Sequence, residues 1–595
     1  MYHLVTTSDE ATWHKDKKLL FLGTWCQHYN RRDCWLELSY QIAPPFGQEL
    51  SVENSSYSYL RELNNTLLIE IGVALNSYHN VQHSFRYWHI ILGHWLKRFS
   101  SVCYNRYKLI ENVLEEYEIT STSVYRYQSY PLVTPDSLSF ISAFNNDKWN
   151  NILLYKIIKF FEVEIEIDWV EEEVKDDEFT TSISFPSPNQ NLLNTLLKSL
   201  FRSVLQKVYS DKEPFIINSY LPRRFELALQ AVLGIFPKIW VTPDVKTGPF
   251  KKNRTDFSIP GEKYDGFEKF VRLMISELLP TCFLENYKSL MTQAINLPWP
   301  KKPKFIFTSN NFDTDELFKL WAADKVEKDV PYLTGQHGNY QAVKRSIEWP
   351  EVICADAFFT WGWKRNEKCI PAFNFKSVGG GRKYLFDKNG GLLLIQITAP
   401  YWEGPVDYYF KYDRYQNYQY EFYEELEHEI QKSTLVRLHS QARNLQWYED
   451  QRWTDRFPGI KLEYGDAKIK HLISKSRLVV HSYDSTGLLE TLTLNIPTLC
   501  FWPSEFDHLL DEFIPDYEIL KKGKIFFPNP KEISQHINEI WSDIDSWWLN
   551  KQTQDARKAF CKKFSRNTNK PLIELRRLLL DTSTGIVKKR TLGEN

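Results

Sequence analysis

Residues 477–501 read RLVVHSYDSTGLLETLTLNIPTLCF. The apolar run Leu478, Val479 and Val480 is a buried strand, and it ends in the polar loop His481-Ser482-Tyr483-Asp484-Ser485-Thr486-Gly487. Thr486–Leu494 then has helical spacing, and IPTLCF (496–501) is the next strand. A strand, a loop opening directly into a helix and a second strand imply a parallel α/β sheet, with the loop at the edge where such sheets bind ligands. Free N–H groups and hydroxyls at a helix N-terminus suit phosphate. Ser482, Ser485, Thr486 and Gly487 are therefore the donor-contact candidates, with Glu490 one turn on to accept from ribose hydroxyls. Ser485 or Thr486 acting only as a helix cap is the alternative. Capping alone does not call for three hydroxyls, a glycine and a glutamate together.

The alternation continues upstream. GLLLIQI (391–397) is a strand, Tyr415–Gln431 a helix, TLVRLHS (434–440) a strand and Ala467–Ser474 a helix, which predicts a Rossmann-type domain. Alternation along TLVRLHS puts Arg437 and His439 on one face, able to neutralise charge on a leaving phosphate or simply satisfied at a strand end. Nearer the start, KFIFTS (304–309), a helix over Asp315–Ala323, PYLTG (331–335) and AFFTW (357–361) repeat the pattern. PYLTG runs into Gln336-His337-Gly338. Glycine on either side lets this backbone approach a ligand, and imidazole suits proton transfer near neutrality; a tight turn with a solvated histidine is the other reading. Gln336 and Gly338 are further donor-contact candidates, and His337 is the first candidate base, with the loop Gly23-Thr24-Trp25 and Asp33 behind it.

KKLLFLG (17–23) reads as an opening strand, and Leu60–His79 and Ile90–Glu118 as long helices. Acidic Glu171–Glu178 and the Ser/Pro/Asn-rich 180–190 read as an exposed linker, with a helix resuming near Leu192. The Gly-rich Ser377–Gly391 reads as a hinge, and Ile533–Lys551 and Gln552–Leu580 as terminal helices. The expected architecture is α/β: two Rossmann-type domains facing a cleft, with extra helices in the N-terminal half. Its parts are a domain at 1–385, a domain at 386–545 that holds the phosphate-site loop, and C-terminal helices and tail at 546–595.

With 595 residues, one core is not enough. The 74 basic and 75 acidic side chains give no excess to drive nucleic-acid binding by bulk charge. The 20 Trp, 33 Tyr and 38 Phe fill cores and are compatible with stacking on sugars. The eight cysteines form no CxxC pair and read as free thiols. A polar start and the lack of a long apolar run point to the cytoplasm, with at most peripheral contact at the inner face of its membrane. Asp313-Thr314-Asp315 imitates a metal-binding Asp-x-Asp but is explained by helix capping, so no metal is expected. Gly379-Gly380-Gly381-Arg382-Lys383 lacks phosphate-loop spacing, and there is no GxSxG.

Eight stretches carry a family resemblance: LVTTSDEATW (4–13), FLGTWC (21–26), HSFRYWHIILGHWL (83–96), LPTCFLENY (279–287), FKLWAA (318–323), GQHGN (335–339), FFTWGWK (358–364) and HSYDSTGLLETLTLNIPT (481–498). Together they resemble transferases of the leptospiral type found in O-antigen and related surface-polysaccharide clusters. The sequence departs from that pattern after QHG, where Asn339-Tyr340-Gln341 stands in place of a further glycine and a Tyr-Gly. The resemblance implies a GT-B-like fold and sugar transfer in surface-glycan assembly. A looser similarity to CMP-sugar-using sialyl- and Kdo-transferases makes His439, Ser482, Ser485 and Thr486 counterparts of CMP-holding residues, with Ser440 where a proline is usual.

The expectation is a metal-independent glycosyltransferase without a cofactor. Its partners would be a nucleotide-sugar donor, a CMP-linked ulosonic acid by preference, and a glycan or lipid-linked glycan acceptor. A CDP-polyol phosphotransferase and a non-catalytic glycan-binding scaffold are the alternatives.

Overall fold

The computed structural model describes residues 1–175, 178–179, 210–243, 245, 250, 254–339, 343–379, 386–400, 405 and 408–592. The linker 180–190, the helix expected near Leu192 and residues 380–385 of the Gly-rich segment lie outside these residues.

The chain is α/β, and its described strands form three parallel sheets. The first holds β1 (Tyr2–Val5), β2 (Leu19–Phe21), β3 (Tyr40–Ile42), β4 (Ile119–Tyr127) and β5 (Glu166–Val174), in the order β3-β2-β1-β4-β5. The second holds β6 (Phe215–Ile217), β7 (Ile306–Thr308), β8 (Tyr332–Gly335), β9 (Ala357–Thr360) and β10 (Cys369–Pro371), in simple succession. The third holds β11 (Gly391–Ile395), β12 (Leu435–Arg437), β13 (Lys461–Glu463), β14 (Ser476–His481), β15 (Thr498–Phe501) and β16 (Phe526–Phe527). Its order is β13-β12-β11-β14-β15-β16, the doubly wound Rossmann order, which reverses between β11 and β14.

The second sheet sits between two cores. Along β7 and the residue before it, Ile306 joins the core of the first sheet, whereas Phe305 and Phe307 join the core of the third. Strand alternation gives one face to each. Helix α1 (Leu50–His79) and helix α2 (Phe85–Glu116) belong to the first core. The turn between them is set by Asn80 at φ 54° and by Asn76, which bonds both the N–H and the C=O of His83 at 3.0 and 2.9 Å. Ser84 caps α2 by accepting from Tyr87 N. Helix α2 is buried along most of its length, and its buried Arg106 is satisfied by Asn150 Oδ1 and Phe144 O.

The second and third sheets make the expected GT-B-like pair facing a shared cavity, and the first sheet is an addition to it. Several sequence expectations need correction. Tyr2–Val5, read as a polar start, is the middle strand of the first sheet. Glu171–Val174, read as linker, completes β5, an edge strand whose charged outer residues face water. Tyr415–Gln431 divides into helices Tyr408–Glu424 and His428–Ser433. The expected pair of terminal helices is four: Pro530–Ile540, Ile544–Trp548, Lys551–Phe564 and Pro571–Leu592. Asp543 and Asn550 each cap a new start.

Candidate active site

A cavity of about 940 Å³ lies where loops from the ends of β7, β8, β11, β14 and β15 converge with α1 and α2. In doubly wound sheets this is where ligands bind, outside the carboxyl ends and at the strand reversal.

The β14 loop supplies one wall. Ser485 caps the helix Thr486–Thr493 by accepting from Leu488 N at 2.9 Å, and its hydroxyl meets His481 Nδ1 at 3.1 Å. Ser485, Thr486 and Gly487 all line the cavity, so a helix N-terminus opens into it. A Cβ on Gly487 would come 2.9 Å from His481 Cε1, which explains the glycine.

The β8 loop crosses to meet it. Asn339 N donates to Thr486 Oγ1 at 3.3 Å, and its side-chain amide donates to Asp484 Oδ1. Asp484 is buried and also meets His508 Nε2 at 3.0 Å and Tyr517 OH at 3.1 Å. Lys344 Nζ donates to its carbonyl at 3.0 Å. Burial alone would raise the Asp484 carboxyl, but Lys344, His508 and Tyr517 outweigh it and hold it below its ordinary value. Asp484 thus pins loops from both halves together at the rim.

The opposite wall comes from α2 and the β7 and β8 loops. His337 lines the cavity beside Tyr220 and Phe312, with ring centroids at 5.3 and 5.9 Å. Burial lowers its pKa to about 4 against the opposing pull of Asp313, leaving a neutral imidazole at pH 7. Asp313 takes a bidentate pair from Arg98 at 2.7 and 2.9 Å. Burial would raise that carboxyl; Arg98 and His94 reverse the effect and lower it. His94 stacks on Phe312, with Nδ1 3.6 Å from Asp313 and Nε2 3.5 Å from Glu351.

The structure therefore brings Ser485, Thr486, Gly487 and His337 to one cavity. The other candidates stand elsewhere. Ser482 is buried and ties the β14 loop to the β11 end, donating to Ile395 O at 2.8 Å and meeting Tyr415 OH at 2.6 Å. Gln336 holds its own loop, donating to Gly338 O at 2.7 Å and accepting from Trp361 N and Trp363 Nε1 at 2.8 and 2.9 Å. Glu490 pairs with Lys376 at 3.2 Å. Arg437 pairs with Glu463 at 2.9 Å, while His439 is exposed and accepts from Gln441 N; neither lines the cavity. The Asp-x-Asp divides its duties: Asp315 caps the helix Glu316–Val326 through Phe318 N, and Asp313 faces the cavity.

Sequence reasoning missed His94, Lys97, Arg98 and Ser101, all cavity-lining. Their spacing, i, i+3, i+4 and i+7 in a helix that is buried along most of its length, was the available signal: a polar stripe that faces a cleft. Lys344, Arg345 and Arg414 also line the cavity and were not singled out. Among the described residues, a group with metal-ligand geometry occurs at His3, His14 and Asp168, outside this cavity.

Comparison with known proteins adds a family. No curated protein matches this chain. Among solved structures, the UDP co-structure of Staphylococcus aureus MnaA is 12% identical, covers 62% of this chain and 97% of its own, and gives a TM-score of 0.38. The wall teichoic acid polymerase TagF with CDPG is 11% identical over 67% of this chain and 100% of its own, at 0.33. Acinetobacter baumannii MurG is 9% identical over 62% and 99%, at 0.29. A family model matches residues 2–579, nearly the whole sequence, and by that match the chain belongs to the LIC12162 family of transferases.

Proposed function

We propose that this transferase moves a sugar from a nucleotide-activated donor to a surface-polysaccharide acceptor, without a metal or cofactor. One observation carries the reading: a helix N-terminus from the third sheet and a neutral, half-buried histidine from the second line the same cavity. The donor phosphate sits at Ser485, Thr486 and Gly487, where backbone N–H groups and the helix dipole favour negative charge. Lys344, Arg345 and Arg414 on the cavity wall take the leaving-group role first considered for Arg437 and His439. Residues 386–545 form the donor side and residues 1–385 the acceptor side.

In the reaction, the acceptor hydroxyl oxygen attacks the anomeric carbon as the bond from that carbon to the phosphate oxygen breaks. The hydroxyl proton passes to His337 and the electron pair leaves with the nucleotide. A phosphate anion bound across the cavity acts on His337 in the same direction as Asp313, upward against the effect of burial. A CMP-linked ulosonic acid remains the preferred donor, supported now by Ser485 and Thr486 rather than by His439 and Ser482.

A transfer assay on His337→Gln tests the assignment. Loss of general-base help lowers kcat by about 10²–10⁴-fold while donor Kd stays unchanged. Full activity in this variant would remove His337 from the reaction. Product mass separates a glycoside from a phosphodiester, which alone gains phosphorus.

A further inference from the structure

We propose that the C-terminal helical pair is a docking surface for an anionic lipid bilayer. Charge points there first. The whole chain carries a formal net charge of -1, yet residues 551–590 hold twelve Lys and Arg against three Asp and Glu. Eight of the twelve, Lys551, Lys558, Lys562, Lys570, Arg576, Arg577, Lys588 and Lys589, are exposed. Among the described residues none of these eight lies within ion-pair distance of a carboxylate, whereas Lys563, Arg566 and Arg590 have Asp516, Glu574 and Asp356.

Apolar side chains stand within this charge. On the helix Pro571–Leu592, Ile573 is 63% and Val587 47% exposed, and they share a face with Arg577 and Thr584 at helical spacing. The neighbouring helix Arg223–Val232 extends the patch. Arg576 Nε donates to Val232 O at 3.0 Å, Val232 is 40% exposed, and Phe236 in the following turn is 53% exposed. Cationic side chains around exposed large apolar ones match a lipid interface, where the charges meet headgroups and the apolar groups enter the acyl boundary. A soluble polyanion would use the charges and leave Ile573, Phe236 and Val587 in water. Among the described residues no helix is long and apolar enough to cross a bilayer, so the contact is peripheral. The patch is tied to the helix Thr486–Thr493: Arg557 Nη1 donates to Leu492 O at 2.8 Å, and Thr493 Oγ1 meets Ser565 Oγ at 2.5 Å.

The test is co-sedimentation of the full chain with vesicles of phosphatidylcholine alone or mixed with phosphatidylglycerol, at low and high salt. The expected result is salt-sensitive binding to the mixed vesicles only. It weakens at least roughly tenfold when Arg577→Glu, Lys588→Glu and Lys589→Glu are combined. Ile573→Ser weakens the binding that survives high salt, and melting curves check that the variants fold. Three results overturn the proposal: equal binding to neutral vesicles, mixed-vesicle binding that the charge reversals leave unchanged, or binding to heparin with neither vesicle bound.

Discussion

Ser485 and Thr486 are adjacent hydroxyls with different duties. Ser485 holds Leu488 N and meets His481, so it is committed to the fold as well as facing the cavity. Among the described residues, Thr486 Oγ1 has one hydrogen-bond partner, accepting from Asn339 N at 3.3 Å. Ser485→Ala is expected to cost about 1 kcal/mol of stability through the lost cap, and also to weaken donor binding. Thr486→Val weakens donor binding with little change in stability. Denaturant melts and calorimetric donor titrations separate the two effects, and a Thr486→Val variant with unaltered donor affinity removes that hydroxyl from the phosphate site. The hydroxyl cluster was legible because a strand running into Ser-Thr-Gly and then apolar helical spacing has few other readings. Ser482 was misjudged because sequence shows a hydroxyl at a sheet edge but not the Ile395 carbonyl and Tyr415 hydroxyl that claim it. Arg437 failed likewise: its partner Glu463 is 26 residues away and becomes a neighbour only when β12 pairs with β13.

Elements were legible in proportion to how far their pattern outweighed their length. The strands of the third sheet announced themselves through apolar runs between helices, except β13, whose Lys461-Leu462-Glu463 contains no apolar run, and β16, which has two residues. In the second sheet, β6 and β10 were missed. In β5 the edge position left charged residues in solvent, and charge was read as linker. Helix α2 was found, but its polar stripe was not used, since apolar spacing dominates in a helix buried on nearly every side. That burial makes its start important. Ser84 both caps α2 and stands where Glu327 Oε1 accepts its N–H. Ser84→Ala is expected to lower stability by about 1 kcal/mol, read as a shift in urea midpoint at constant m. An unmoved midpoint would show that the Asn76 bracket on His83 alone fixes the turn.

At the scale of the molecule, sequence alternation predicted two sheets and a cleft, and the described strands form three sheets. The first was hidden because α1 and α2 separate β3 from β4, so its strands lack the short repeat that marks a Rossmann domain. Each sheet carries a histidine whose pKa desolvation lowers: buried His3 on β1 to about 4, half-buried His337 after β8 to about 4, and buried His481 at the end of β14 to about 3. Unfolded histidine titrates near 6.5, so below that pH the unfolded chain binds protons that these folded groups refuse. Their contribution is full above about 6.5 and is lost as pH falls towards 4. His89 acts oppositely. Burial would lower it, but Cys354 and Glu348 outweigh this and raise it to about 10, so its contribution is kept in acid. Further lowered histidines, His28, His79 and His94 among them, act in the same direction as His3, so the urea midpoint is expected to fall between pH 7 and pH 5, and His3→Gln flattens the fall. A pH-independent midpoint would contradict the assignment.

The central claim is that the cavity at the sheet edges binds a nucleotide-activated donor at Ser485–Gly487. Thermal melting of the full chain with CMP, CDP, UMP, UDP, GDP and ADP, each with and without magnesium, tests it most directly. A ligand at ~100 times its Kd stabilises the fold by about 2.7 kcal/mol. The account predicts stabilisation by at least one nucleotide, CMP foremost, without magnesium and reduced in Thr486→Val. Silence across the whole panel would contradict it.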